Sequence, residues 1–181
     1  MLSTQDKTRI DDTRIASVRP LMTPALLEER WPATTSHLGL VERSRQAISD
    51  VLQGRDDRLV VVVGPCSIHD HDQAIDYARR LKGEADRHAQ DLLVVMRVYF
   101  EKPRTTVGWK GYINDPHLDG SFAMNEGLEM ARKLMLDILD LGLPVATEFL
   151  DLLSPQFISD LVTWGAIGAR TTESQSHRQL A

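Results

Sequence analysis

The sequence predicts an α/β fold in which parallel strands are joined by helical crossovers. Short apolar, β-branched runs recur at 59–63, 92–99, 145–150 and 166–169, and amphipathic helical patterns separate them. Such alternation is the signature of a parallel sheet with both ends of each strand reached by connecting segments. A closed barrel and an open doubly wound sheet both fit it. The first strand ends in Gly64-Pro65-Cys66-Ser67, not in a Gly-x-Gly-x-x-Gly turn, so a dinucleotide fold loses its main support.

The elements follow in order. Residues 1–35 read as a polar N-terminal extension with three prolines, Pro20, Pro24 and Pro32. A short strand is expected near Ile15–Val18, and a short helix near Pro24–Arg30 with Thr23 as its cap and Pro24 in its first turn. The remainder, 36–181, opens with a helix over Leu40–Leu52 that carries Val41, Ile48, Val51 and Leu52 on one side and stops at Gly54. Leu59–Val63 is the first strand. Asp72–Ala89 is a helix with Ala74, Ile75, Ala78, Leu81 and Ala85 near helical spacing. Leu92–Tyr99 is the second strand. Asn125–Leu141 is a helix that turns Leu128, Ala131, Leu134, Met135, Ile138 and Leu139 inward and stops at Gly142. Val145–Leu150 is the third strand, Pro155–Thr163 a short helix capped by Ser154, and Ala166–Ala169 the fourth strand.

Composition bounds the function. The 181 residues are 42% hydrophobic and 26% charged, which suits one globular unit with a sizeable core. The net charge of -5 argues against a general nucleic-acid surface. No run approaches a membrane span, and Met1–Lys7 lacks the apolar stretch of a secretory signal, so a cytoplasmic protein is expected. The single cysteine, Cys66, rules out an intrachain disulfide.

Positive charge is instead concentrated where strands end. Parallel strands deliver their C-terminal ends to one face, and in β/α barrels that face holds the active site. Here those ends present Cys66, then Arg97 with Lys102 and Arg104, then Glu148, then Arg170 with Thr171 and Thr172. Arginine suits planar recognition of carboxylate and phosphate, and lysine adds a point charge. Pro103 stiffens the loop between Lys102 and Arg104. A phosphorylated, carboxylated substrate is the chemistry these groups suggest. Cys66 reads either as a packed strand-end residue or as a thiolate stabilised by cations and able to ligate a metal. His69 reads as a structural hydrogen-bonding residue near a helix start, and His117 sits in a turn-rich loop.

Four long stretches carry a resemblance: Gly64-Pro65-Cys66-Ser67-Ile68-His69-Asp70; Met96 to Gly111; Ile113-Asn114-Asp115-Pro116; and Gly165-Ala166-Ile167-Gly168-Ala169-Arg170-Thr171-Thr172-Glu173-Ser174-Gln175. Together they resemble the class I 3-deoxy-D-arabino-heptulosonate 7-phosphate (DAHP) synthases from about Asp11 onward. The resemblance implies a (β/α)8 barrel with an N-terminal extension. It implies a transferase that condenses phosphoenolpyruvate with erythrose 4-phosphate at the entry to aromatic amino-acid synthesis. It also implies dependence on a divalent metal, feedback inhibition by an aromatic amino acid, and a homo-oligomer. On this resemblance Cys66 corresponds to a metal ligand, and Arg97 and Lys102 to catalytic contacts with phosphoenolpyruvate. Ala169 and Arg170 correspond to its phosphate site with Glu148 nearby, and Arg104 and Thr105 to the erythrose 4-phosphate site. Asp11 and Asp12 join Asp151, Leu152, Gln156 and Leu180 in an inhibitor site.

The resemblance also implies eight strands, and the sequence offers four. The expectation is therefore the N-terminal half of a barrel, with the first and fourth strands left as apolar edges. The remaining metal ligands are expected outside this sequence. A non-catalytic half-barrel that is inactive alone or needs a partner chain is the second reading.

Overall fold

A computed structural model describes Thr13, Ile15 and residues 17–180. Of the segment expected as a strand near Ile15–Val18, the described residues Ile15, Ser17 and Val18 form no strand. They are irregular, and Ile15 and Val18 are exposed, so no strand edge or core recruits them. Helix α1 (Pro24–Arg30) begins as expected: the Thr23 hydroxyl accepts from the Leu26 amide at 3.3 Å, and Pro24 occupies the first turn.

Helix α2 (Thr35–Leu52) starts five residues before the apolar periodicity does. Thr34 and His37 explain this. The His37 amide donates to Thr34 Oγ1 and the Thr34 amide to His37 Nδ1, both at 3.2 Å. This is a capping box with histidine where glutamate or glutamine is usual. His37 is buried, and its Nε2 donates to Asp140 Oδ1 at 2.6 Å. Leu52, expected on the inner side of this helix, is exposed.

Strands β1 (Leu59–Val63), β2 (Leu92–Arg97), β3 (Val145–Glu148) and β4 (Trp164–Ala166) form one parallel sheet in sequence order. Helix α3 (His71–Arg87) joins β1 to β2, with Asp70 accepting from the Gln73 amide at 2.8 Å. Helix α4 (Met124–Asp140) joins β2 to β3. The third crossover is a single helical turn, α5 (Pro155–Ile158), followed by a 3-10 turn over Ser159–Leu161. Helix α6 (Gln175–Leu180) closes the described part. Sequential parallel strands with helical crossovers are the repeating unit of a β/α barrel, and four units make half of one.

Three strands end earlier than expected, and β4 also begins earlier. Register accounts for this: Met96 pairs with Val145, and Glu148 pairs with Ala166. Ile167 to Ala169 thus project past the sheet into the loop layer. Ser154 does not cap α5, because its own backbone is helical. The Asp151 carboxylate accepts from the Leu153 and Ser154 amides at 2.7 Å each, and the Ser154 hydroxyl is committed elsewhere.

The main core lies between the sheet and α3–α4. It includes Met96, Val98, Leu128, Leu134, Met135, Ile138 and Val145. Packing here is close enough that a Cβ on Gly127 would stand 2.0 Å from the Ile113 carbonyl oxygen. Alternation places Val95 and Ala146 on the opposite face, where they pack with Ile48 of α2. Among the described residues β1 and β4 are edges, and Leu59, Val62 and Val63 of β1 are exposed. Flat apolar edges of this kind favour association.

Candidate active site at the strand ends

The C-terminal ends of the strands gather the groups expected there. Lys102 reaches across from the β2 loop, and its Nζ donates to Cys66 Sγ, beyond β1, at 3.0 Å. Arg97, the last residue of β2, donates from Nη2 to the Cys66 carbonyl at 3.3 Å. Arg170, beyond β4, donates to the Pro103 carbonyl at 3.1 Å and so ties the fourth strand end to the Lys102–Arg104 loop. Glu148 ends β3, and a Cβ on Gly168 would stand 2.6 Å from its Oε1, so glycine there leaves room for the carboxylate. A cavity of about 280 Å³ lies among Pro103, Glu148, Gly168, Ala169, Arg170 and Thr171. Arg104 and Thr105 are exposed on the rim. Their carbonyls accept from Lys110 Nζ at 2.8 and 3.5 Å.

The loop that carries Lys102 is fixed by more than Pro103. Glu101 and Gly111 form an antiparallel bridge, flanked by Lys102 N to Lys110 O at 2.9 Å and Tyr112 N to Phe100 O at 2.6 Å. Gly111 has φ of 118°, and a Cβ there would stand 2.2 Å from the Phe100 carbonyl, so only glycine fits. The cations are thus held on a small hairpin docked on the sheet.

Electrostatics follow from that packing. Cys66 is exposed, and the hydrogen bond from Lys102 pulls its thiol below the usual range, with the Lys102 charge and then Arg97 and Arg104 adding to the effect. The thiolate is the metal-binding and nucleophilic form. Lys102→Met is therefore expected to raise the Cys66 pKa and slow alkylation by iodoacetamide at neutral pH in metal-free protein. The pH dependence of alkylation in the two forms measures this; superimposable profiles would contradict it.

Sequence reasoning missed Glu101. It sits among cations, yet it is largely buried and faces other carboxyl groups. Burial pushes its carboxyl up to about 8, and the neighbouring Asp151 charge pushes in the same direction. The Ser154 hydroxyl donates to its Oε2 at 2.8 Å. The signal available in sequence was a lone acid two residues beyond Tyr99 on the extended chain leaving β2. His69 is exposed, and Asp70 is the residue that caps α3. His117 lies on the surface and pairs with Glu126 at 2.8 Å.

The DAHP synthetase I family model matches residues 31–181. That match takes in every strand and every strand-end group described above. The chain belongs to the DAHP synthetase I family. It is 58% identical over 171 residues to the Phe-sensitive phospho-2-dehydro-3-deoxyheptonate aldolase of Escherichia coli K12, covering 94% of this chain and 49% of that protein. It is likewise 58% identical to a phospho-2-dehydro-3-deoxyheptonate aldolase of Amycolatopsis methanolica, covering 94% of this chain and 84% of that one. A solved structure of the Francisella tularensis aldolase superposes with a TM-score of 0.89 at 51% identity, over 92% of this chain and 49% of that chain. The chain thus spans about half the length of most of the curated relatives it matches.

Family membership directs attention to metal and regulatory residues. Among the described residues no group of three or more histidine, cysteine, aspartate or glutamate side chains is placed to hold a metal ion. Cys66, its thiol lowered by Lys102, has the donor chemistry of a metal ligand and could contribute one such bond. Asp11 and Asp12 lie outside the described residues. Asp151, Leu152 and Gln156 cluster on the loop and first turn leading into α5, with Leu152 and Gln156 exposed. Leu180 lies on α6, and His177 of the same helix donates from Nε2 to the Leu150 carbonyl at 3.2 Å. No helix among the described residues is long and apolar enough to cross a membrane.

Proposed function

We propose that this chain forms the first half of an enzyme condensing phosphoenolpyruvate with erythrose 4-phosphate, with uptake of one water, to give DAHP and phosphate. The observation that carries the reading is the convergence of Arg97, Lys102, Arg170 and Cys66 on one face, joined by the Lys102–Cys66 and Arg170–Pro103 contacts. Family membership supplies the reaction class, and the cations supply the substrate chemistry.

Arg97 and Lys102 hold phosphoenolpyruvate, with Ala169 and Arg170 at its phosphate and Glu148 beside them. Arg104 and Thr105, on the rim, receive the phosphate of the aldehyde substrate. Fixing both anions brings the nucleophilic carbon of one substrate to the carbonyl of the other, which converts a bimolecular encounter into an intramolecular one. Lys102 places an ammonium beside the reacting groups, where it can move a proton. Cys66 would contribute one ligand to a divalent metal, which when bound would supply Lewis-acid polarisation of the aldehyde or of water. The completed enzyme is a homo-oligomer in the cytoplasm. An aromatic amino acid inhibits it through Asp11, Asp12, Asp151, Leu152, Gln156 and Leu180; relatives named Phe-, Tyr- and Trp-sensitive support this reading. Residues 1–35 serve as the regulatory and assembly extension of the barrel half at 36–181.

The test is substitution in a chain completed by the second half of a family relative. Lys102→Ala is expected to lower kcat by at least about a hundredfold, the usual worth of a placed proton-transfer group. A near-normal rate would remove Lys102 from the site.

A further inference from the structure

Arg97 poses a problem that the substrate reading leaves open. Its Nε is buried and has no hydrogen-bond partner. An orphaned buried donor is rare, and each one asks for a compensating contact. Its Nη2 reaches the Cys66 carbonyl at 3.3 Å, which is a long bond at the exposed end of the group. By hydrogen bonding alone, Arg97 is poorly held for a residue that must place a charge.

What holds the charge instead is an aromatic contact. Tyr99 lies two residues along the extended chain, so its side chain leaves the same face as Arg97. Arg97 Cζ stands 4.0 Å from the centroid of the Tyr99 ring, well within cation–π range. The ring is half-buried, and the Ile68 amide fixes the Tyr99 backbone by donating to its carbonyl at 2.8 Å. The same contact ties the Cys66 loop to the end of β2. One side of the guanidinium is thus covered by the face of a ring whose backbone is tied to the Cys66 loop just beyond β2.

We propose that Tyr99 is a positioning residue for Arg97, its ring holding the guanidinium in place by cation–π stacking so that Arg97 can receive the carboxylate or phosphate of a small anionic substrate. The proposal rests on the reading of Arg97 as an anion-binding group. It assigns the work to the ring and not to the hydroxyl. Phenylalanine therefore replaces Tyr99, and an aliphatic residue of similar bulk does not.

The experiment follows the arginine Nε–H signals of the isotopically labelled 181-residue chain by NMR, with phosphoenolpyruvate as the probe. In the unsubstituted chain, the Arg97 Nε–H signal, assigned by its loss in Arg97→Lys, is expected upfield of the other arginines because the guanidinium carbon to which Nε is bonded lies over a ring. It is expected to shift further as phosphoenolpyruvate is added. Tyr99→Phe should retain both properties. Tyr99→Leu should lose the upfield position and weaken phosphoenolpyruvate binding about tenfold, which lies between the worth of an exposed and of a desolvated cation–π contact. Amide signals remote from the site report whether Tyr99→Leu stays folded. If it does not, the upfield position in the unsubstituted chain and its retention in Tyr99→Phe decide the matter: an Arg97 signal among the ordinary arginines overturns the proposal. Equal phosphoenolpyruvate affinity in folded Tyr99→Leu also overturns it. No response of Arg97 to phosphoenolpyruvate in the unsubstituted chain would instead overturn the anion-binding reading, and the proposal with it.

Discussion

Replacing Arg132 by alanine is expected to destabilise the fold by about 3–5 kcal/mol, the range for breaking a buried ion pair. Arg132 lies in the middle of α4 and is 1% exposed. Its guanidinium donates twice to Asp160, at 2.8 Å each, and also to the Phe157 carbonyl at 2.9 Å and the Trp31 carbonyl at 2.8 Å. One side chain therefore pins the end of α1, the α5 turn and α4 together. Its loss leaves two carbonyls and a carboxylate without their donor, and each buried unsatisfied group is costly. Lysine cannot restore the fork, so Arg132→Lys should recover only part of the loss. Urea unfolding monitored by circular dichroism measures this as a lower midpoint with an unchanged slope. A change below about 1 kcal/mol would show that the node is held by its surroundings and not by Arg132.

Stability is expected to fall as pH rises from about 4.5 to about 8, and Glu101 is the cause. Its carboxyl titrates near its ordinary value of 4.5 when unfolded and is pushed up to about 8 when folded, by burial first and by Asp151 next. Between those values the folded chain keeps a proton that the unfolded chain has released. The unfolded state then binds fewer protons, so the stability slope is negative across this window. Below it both states are protonated, and above it both are ionised, so the slope vanishes at each end. Each unit of separation is worth about 1.4 kcal/mol, which makes the whole loss a few kcal/mol. Glu101→Gln keeps an acceptor for the Ser154 hydroxyl and cannot ionise. Its advantage over the unsubstituted chain should grow from pH 5 to pH 8.5. Unfolding midpoints of both forms across that range provide the check, and parallel profiles would contradict the assignment.

The strands and long helices were legible because burial imposes periodicity. Leu59–Val63 is a continuous β-branched run, and α4 shows its inward residues at helical spacing, so pattern and packing agree. What was not legible depends on tertiary partners. The early start of α2 rests on His37, whose capping role is fixed by Asp140 more than a hundred residues away. Ser154 has the residue type of a cap, but Glu101 takes its hydroxyl and Asp151 takes over the amides. The site followed the same division. Cys66, Arg97, Lys102 and Arg170 stand out because reactive and charged groups at four strand ends have no place in a core. Tyr99 and Glu101 do not stand out, since an aromatic and an acid beside basic residues are ordinary in sequence. Their significance appears only when the ring is seen beneath Arg97 and the carboxyl is seen facing Asp151.

The most direct measurement joins this chain to the second half of the Escherichia coli Phe-sensitive relative and follows phosphoenolpyruvate consumption with a divalent metal present. Consumption is expected only when erythrose 4-phosphate is also supplied, with one phosphate released per DAHP formed and with loss of activity on chelation. Lack of consumption by a folded, metal-loaded protein, or consumption that proceeds without erythrose 4-phosphate, would contradict the assignment of this strand-end face to the condensation.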